Sequence, residues 1–212
     1  MIYKDSVLVS PEKAAAQILQ YKKPDGCFRT NSEGGYLTNK VYDIFKGIKR
    51  RVGKAGKGTS YAEVELDDFL YDYDTFAEFI LSEFDLDVIS KYGLQIDKDL
   101  FGQMQDRKSC YSKATITFIP RELNALLVSG RITNTTGYTG VSYSKANGKY
   151  RVALKIDGKP NFLGYFSCPK EASVIYCIAK LEQVLIWSER IKTLNPEASN
   201  ALKQIKASIF AQ

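Results

Sequence analysis

The stretch GYTGVSYSKANGKYRVALKIDGKPNFLGYF, Gly137–Phe166, decides the fold of the C-terminal half. Asn147-Gly148 and Asp157-Gly158 are strong hairpin-turn signals, because both dipeptides accept the positive φ that tight turns require. They cut the stretch into three short strands. The central one alternates, with Tyr150, Val152, Leu154 and Ile156 on one face and Arg151, Ala153 and Lys155 on the other. The following segment, SCPKEASVIYCIAK, reads as a helix capped by Ser167, with Ala172, Ile175, Tyr176 and Ala179 on one side. Such a helix covers one sheet face and leaves a basic face open, suited in width to the major groove of a duplex.

Working outward, a chain of 212 residues with 25% charged and 44% hydrophobic side chains is ordinary globular material. Its net charge of +6 conceals three zones: +7 over residues 1–58, −10 over 59–100 and +9 over 101–212. Basic ends favour a polyanion. The acidic middle reads as solvated helix faces or as partners for the basic ends. Four scattered cysteines with no CxxC pair argue against disulfides. The absence of histidine excludes a Cys/His zinc site, a Ser-His-Asp triad and any imidazole base. No stretch reads as a signal peptide or a membrane span, so a cytoplasmic protein with no membrane partner is expected.

Ser10 and Pro11 announce a helix that ends near Tyr21. A second helix carries Val41, Ile44, Phe45 and Ile48 on one side and Lys46, Lys49, Arg50 and Arg51 largely on the other. The Gly53–Gly58 run GKAGKG lacks phosphate-loop spacing and reads as a basic loop. In the acidic middle, Phe69, Phe76, Phe79, Ile80 and Phe84 form an apolar helical stripe with Asp67, Asp68, Asp72 and Asp74 exposed. The tail after Leu181 is helical in pattern, interrupted at Pro196, and suits either packing on the N-terminal part or a homodimer surface.

Residues 92–127 are read as a strand over Leu94–Leu100, a loop, an extended piece ATITFI and a helix from Pro120. The pieces IDKDL, CYSKATITFIP and RELNALL resemble the ββα-metal (HNH-type) nuclease core of phage endonuclease-like proteins. In active members a strand histidine is the general base. Here Asp97-Lys98 stands at that place, so the core is histidine-less and degenerate. Asp97, Asp99 and Asn124 are the oxygen donors that could hold Mg²⁺ or Mn²⁺ and serve catalysis, with metal-bound water as nucleophile. Asp97 and Asp99 share one face of the expected strand and Lys98 takes the other; two solvent-facing acids would show the same alternation.

The pieces GYTGVSY, GKYRVALK, FLGYF and KEASVIYCIA, within Gly137–Lys180, resemble the DNA-binding domain of the APETALA2/ethylene-response family, also found in phage and homing endonucleases. The resemblance implies double-stranded DNA as partner, bound through Lys149, Tyr150, Arg151 and Lys155, with Lys145 and Lys159 as further contacts. Tyr150 stands where the family usually has tryptophan, and Ser142 and Ser144 replace familiar arginines. Gly140 and Gly164 are expected at close-packing positions, and Tyr143 and Leu163 in the core.

The expected fold is therefore α+β: a histidine-less ββα-metal-like core with helices (1–131), a three-stranded antiparallel sheet packed on one helix (132–180) and a C-terminal helical tail (181–212). Three functions compete. One is a phage-type DNA-binding protein in the host bacterial cytoplasm, with a degenerate nuclease-like module. Another is a divalent-metal-dependent DNA endonuclease. The last is an adaptor or inhibitor that binds a host protein through the acidic middle.

Overall fold

The computed structural model describes residues 3–30, 40–53, 61–104, 110–127 and 135–205. It is mixed α+β and contains a three-stranded antiparallel sheet. The Lys54–Gly58 part of the basic loop lies outside the described residues. The chain forms two compact units: Tyr3–Pro120 with Thr193–Asn195, and Arg121–Lys192 with Pro196–Gln212. The division thus falls at Pro120/Arg121 and not at 131, and the C-terminal helices group with the sheet.

In the N-terminal unit, α1 (Pro11–Tyr21) begins at Ser10, whose hydroxyl accepts from Lys13 N. Helix α2 (Lys40–Val52) buries Val41 and Ile48 and ends in Lys49, Arg50 and Arg51, cations suited to the negative end of the helix dipole. A 3₁₀ turn (Asp68–Leu70), α3 (Tyr73–Glu83) and α4 (Leu86–Tyr92) follow. The acidic middle has a structural use here. Asp67, Asp72 and Asp85 cap these three elements by accepting backbone N–H groups, and Asp85 also pairs with Lys13 at 2.6 Å. Phe76 and Ile80 are fully buried, and edge contacts run from Phe69 to Phe79, Phe79 to Phe84 and Phe84 to Phe118. The aromatic stripe is core.

Two short strand pairs complete this unit. Strand β1 (Glu65–Leu66) lies parallel to β3 (Cys110–Tyr111), and β2 (Gln95–Asp97) lies antiparallel to β4 (Thr117–Ile119). The strand expected over Leu94–Leu100 is shorter, because the chain turns into α5 (Asp99–Met104) directly after Asp97. The Asp97 carboxylate accepts Leu100 N–H at 2.8 Å, a side-chain tie that starts the helix and ends the strand.

The C-terminal unit opens with α6 (Arg121–Leu127). Its sheet is β5 (Val141–Ser144), β6 (Lys149–Ile156) and β7 (Lys159–Phe166), in the order β5-β6-β7. Asp157 and Gly158 both have positive φ, +47° and +81°, which makes the β6–β7 connection a two-residue turn of the expected kind. The β5–β6 connection is longer, and only Gly148 in it is left-handed.

Helix α7 (Pro169–Arg190) covers one face, burying Ala172, Tyr176, Cys177, Val184 and Trp187 in the core that also holds Val141, Val152 and Leu154. Cys168, not Ser167, occupies its N-cap and makes no side-chain cap bond; Pro169 begins the helix. The helix passes position 180 without a break. It is followed by α8 (Pro196–Gln204), and Lys203 pairs with Glu189 at 2.7 Å. Gly140 has φ +73°, and a Cβ there would lie 2.1 Å from the Tyr176 ring, so ring and backbone touch. All four cysteines are free. No helix among the described residues is long and apolar enough to cross a membrane.

Candidate nucleic-acid interface

The open face of the sheet is set by register. Ser142, Arg151 and Tyr165 form one row across the three strands. Beside it, Ala153 pairs with Phe162 and Lys155 with Pro160, while Lys149 pairs with Ser144 on the other side. Val152 and Leu154, one residue out of phase, are buried under α7. Arg151 and Lys155 therefore point away from the helix, as strand alternation requires.

A β-bulge adds what alternation alone does not show. Val152 pairs with Gly164 and Ala153 with Phe162, which leaves Leu163 as an extra residue on β7. The slip brings Phe162 and Tyr165, three positions apart, onto the same open face. Their ring centroids are 5.0 Å apart, and they are 50% and 42% exposed. The Arg151 guanidinium lies 5.6 Å from the Phe162 ring centre, a cation–π contact on the surface. Neither aromatic was among the expected contact residues. The signal that could have found them is Gly164, since a glycine inside a strand marks a bulge or a close approach.

The expected DNA contacts fall in three places. Lys149, Arg151 and Lys155 share the open face, and both lysines are exposed. Lys145 is exposed in the β5–β6 connection, and Lys159 is exposed beside the β6–β7 turn, opposite Ile156. Tyr150 lies in phase with Val152, on the helix side, half-buried in an edge contact with Tyr143 at 5.2 Å. Tyr143, expected in the core, is 51% exposed, one residue from the end of β5 and opposite half-buried Tyr150. Leu163 is half-buried. Between Gly137 and Cys168 the chain has five cations and one acid, Asp157, and Arg190 neutralises that acid at 3.2 Å. The face has positive potential without internal compensation.

The residues expected to hold a metal behave differently. Asp97 and Asp99 do not share a strand face, since Asp99 stands in the first turn of α5. Asp97 is 5% exposed with its carboxylate tied to Leu100 N–H, and burial pushes its pKa up to about 6. Lys98, expected to face away from both acids, is itself buried and donates to Asp99. An arriving cation would have to displace a helix-starting bond at one carboxylate and an ammonium at the other. These donors do not fit Mg²⁺ or Mn²⁺. Asn124 belongs to α6, in the other compact unit. No cluster of three or more His, Cys, Asp or Glu groups suited to a metal exists among the described residues.

Next to this pair, Lys98 and Arg51 each approach both the Tyr61 and Tyr111 rings at 5.4–5.9 Å. Burial raises the pKa of the Tyr111 phenol well above its ordinary range. A lysine, an arginine and two tyrosines thus gather beside buried Asp97 and part-exposed Asp99, and the Asp99 carboxylate compensates the buried Lys98 ammonium.

No protein-family model, no curated protein and no solved structure matches the chain.

Proposed function

We propose that the protein binds double-stranded DNA through the open face of the β5–β7 sheet, as a phage-type DNA-binding protein whose N-terminal unit is a degenerate ββα-metal-like core. One observation carries this reading: Arg151 stacked on Phe162 beside Tyr165, with Lys149 and Lys155 on the same face and no acid among them. Three strands about 4.8 Å apart make a ribbon about 10 Å wide, which enters a major groove about 12 Å wide. From Lys149 to Lys155 the strand rises roughly 20 Å, the axial length of about six base pairs.

In this reading Lys145, Lys149, Lys155 and Lys159 hold the phosphates on both sides of the groove, and Arg151 reaches a base edge. The forked guanidinium suits guanine O6 and N7, and Phe162 and Tyr165 supply apolar surface for a thymine methyl group. With Ser142 and Ser144 in place of arginines, direct readout narrows to Arg151 and its aromatic neighbours. For the N-terminal unit, the support is the antiparallel β2–β4 pair, together with two carboxylates already tied to Leu100 N–H and Lys98; the helix that follows β4 in the chain, α6, belongs to the other unit. That unit supplies fold and not chemistry.

The test is anisotropy of a labelled duplex titrated with protein in EDTA over 50–200 mM salt, followed by addition of Mg²⁺ or Mn²⁺. Four phosphate contacts predict a log–log slope of roughly −3.6, with no strand cleavage on adding metal. A flat salt response, or affinity unchanged in Arg151→Ala, would sink the sheet reading. Cleavage that disappears in Asp97→Ala would restore the N-terminal unit as a metal-dependent endonuclease.

A further inference from the structure

Helix α7 has a second face that the DNA reading does not use. Val174, Ile178, Leu185 and Ile186 are each about half exposed. Positions 174, 178, 181 and 185 recur at the i, i+4, i+7, i+11 spacing that forms one stripe, and Leu181 is half-buried within it. Along one edge run Glu171, Glu182 and Glu189, separated by three and two helical turns and all exposed. Glu189 is held by Lys203, while Glu171 and Glu182 face solvent. The other edge turns into the core through Cys177, Val184 and Ser188. Of the helix's cations, Lys180 is buried, Arg190 is held by Asp157, and Lys170 in the first turn faces solvent.

Size and charge together select the occupant. Val174, Ile178 and Leu185, the half-exposed members of the stripe, offer roughly 250 Å² of apolar surface, with Ile186 across the glutamate row, well short of the 800 Å² or so that each partner of a standard interface between folded proteins buries. That area fits one short helix laid along the stripe, the helix-in-groove mode of recognition. A second copy of α7 fits badly. An antiparallel two-fold places the two glutamate rows on the same side, and like charges facing each other oppose pairing. A parallel one keeps stripe on stripe but sets each glutamate row against the partner's edge that turns into the core, where Cys177, Val184 and Ser188 offer the carboxylates no partner.

We propose that the outer face of α7 docks a single amphipathic helix of another protein, with aliphatic residues at i, i+4, i+7 and i+11 and lysine or arginine along one edge. This site stands on the helix and is independent of the DNA reading. It also leaves the sheet face free, so the protein can hold DNA and a protein helix on opposite sides of one unit.

The test uses two labelled 18-residue peptides with the same leucine stripe, one edged with lysine and the other with glutamate, titrated with the full-length protein. The lysine peptide should bind at micromolar concentration and the glutamate peptide at least tenfold more weakly. Glu171→Lys with Glu182→Lys should reverse that order. Ile178→Asp, at an exposed position, should weaken the lysine peptide tenfold or more while its circular dichroism and melting stay those of the parent. Arg151→Ala should leave peptide binding unchanged. Equal binding of the two peptides, or no binding of either, overturns the proposal. So does a sedimentation-detected dimer that Ile178→Asp dissolves, which would make the second copy the occupant.

Discussion

Gly140→Ala tests the packing that holds the sheet against α7. The new methyl would start 2.1 Å from two carbons of the Tyr176 ring, on a backbone with φ +73°. The left-handed backbone costs a non-glycine residue about 1–2 kcal/mol. Forcing a ring and a strand end apart in a packed core adds about 1–3 kcal/mol. Gly148→Ala is the internal control, since its φ is +61° but its Cβ would meet nothing within 4 Å. It should therefore show the backbone part alone, about 1 kcal/mol.

Trp187, the chain's one tryptophan, is buried in the same unit, so its fluorescence during urea denaturation reports this unit and not the other. Gly140→Ala should be the less stable variant by roughly 1–3 kcal/mol, and combining it with Tyr176→Ala should cost less than the sum of the two single changes. If the two glycine variants fall within about 0.5 kcal/mol of each other, the contact between Gly140 and Tyr176 is not what positions the helix.

On DNA, Arg151→Ala should weaken binding by about 1–3 kcal/mol and relax preference at one base pair, whereas Lys155→Ala should weaken all duplexes alike and reduce the salt slope by about one; a panel of single-base variants in the anisotropy assay separates the two. Phe162→Ala should lower affinity without changing the salt slope, while Tyr150→Ala, on the helix side, should cost stability before affinity. Asp97 has its folded pKa raised from 3.8 to about 6, so the folded state binds the extra proton and stability falls as pH rises through that window. Asp97→Asn should then be the more stable protein at pH 7.5, and the gap should close near pH 4, as followed by far-UV circular dichroism in urea. Lys180 is the opposite case: burial lowers its pKa from 10.5 to about 8, so the unfolded state binds more protons between those values and stability of the sheet unit rises with pH there. Lys180→Met should flatten that rise in Trp187-monitored unfolding.

The hairpins were legible because Asp157-Gly158 and Asn147-Gly148 encode their turns locally, and the alternation of β6 assigns Arg151 and Lys155 to the open face without tertiary information. The bulge was not, because the pairing of Val152 with Gly164 and of Ala153 with Phe162 depends on two strands at once. Strict alternation puts Phe162 and Tyr165 on opposite faces and hides the aromatic pair. Asp97 and Asp99 misled for a related reason. Two acids at i and i+2 share a face only while the strand continues, and the Asp97 carboxylate itself ends the strand by capping Leu100. The boundary at 180 followed the extent of the family resemblance, whereas Val184 and Trp187 carry the buried face of α7 onward for nearly three more turns.

The extra residue on β7 gives that strand two reading phases. Up to Phe162 the even positions look outward, and after Leu163 the odd ones do. A substitution at one position therefore has the opposite consequence from the same substitution one residue further on, across a boundary only one residue wide. Loss of the single codon for Leu163 would let the ladder close with uniform pairing, Phe162 and Tyr165 then standing two positions apart and both still outward. Such a chain would still present both rings. An odd spacing without the bulge would turn one of them inward, so the face depends on the number of residues between the rings as well as on their identity.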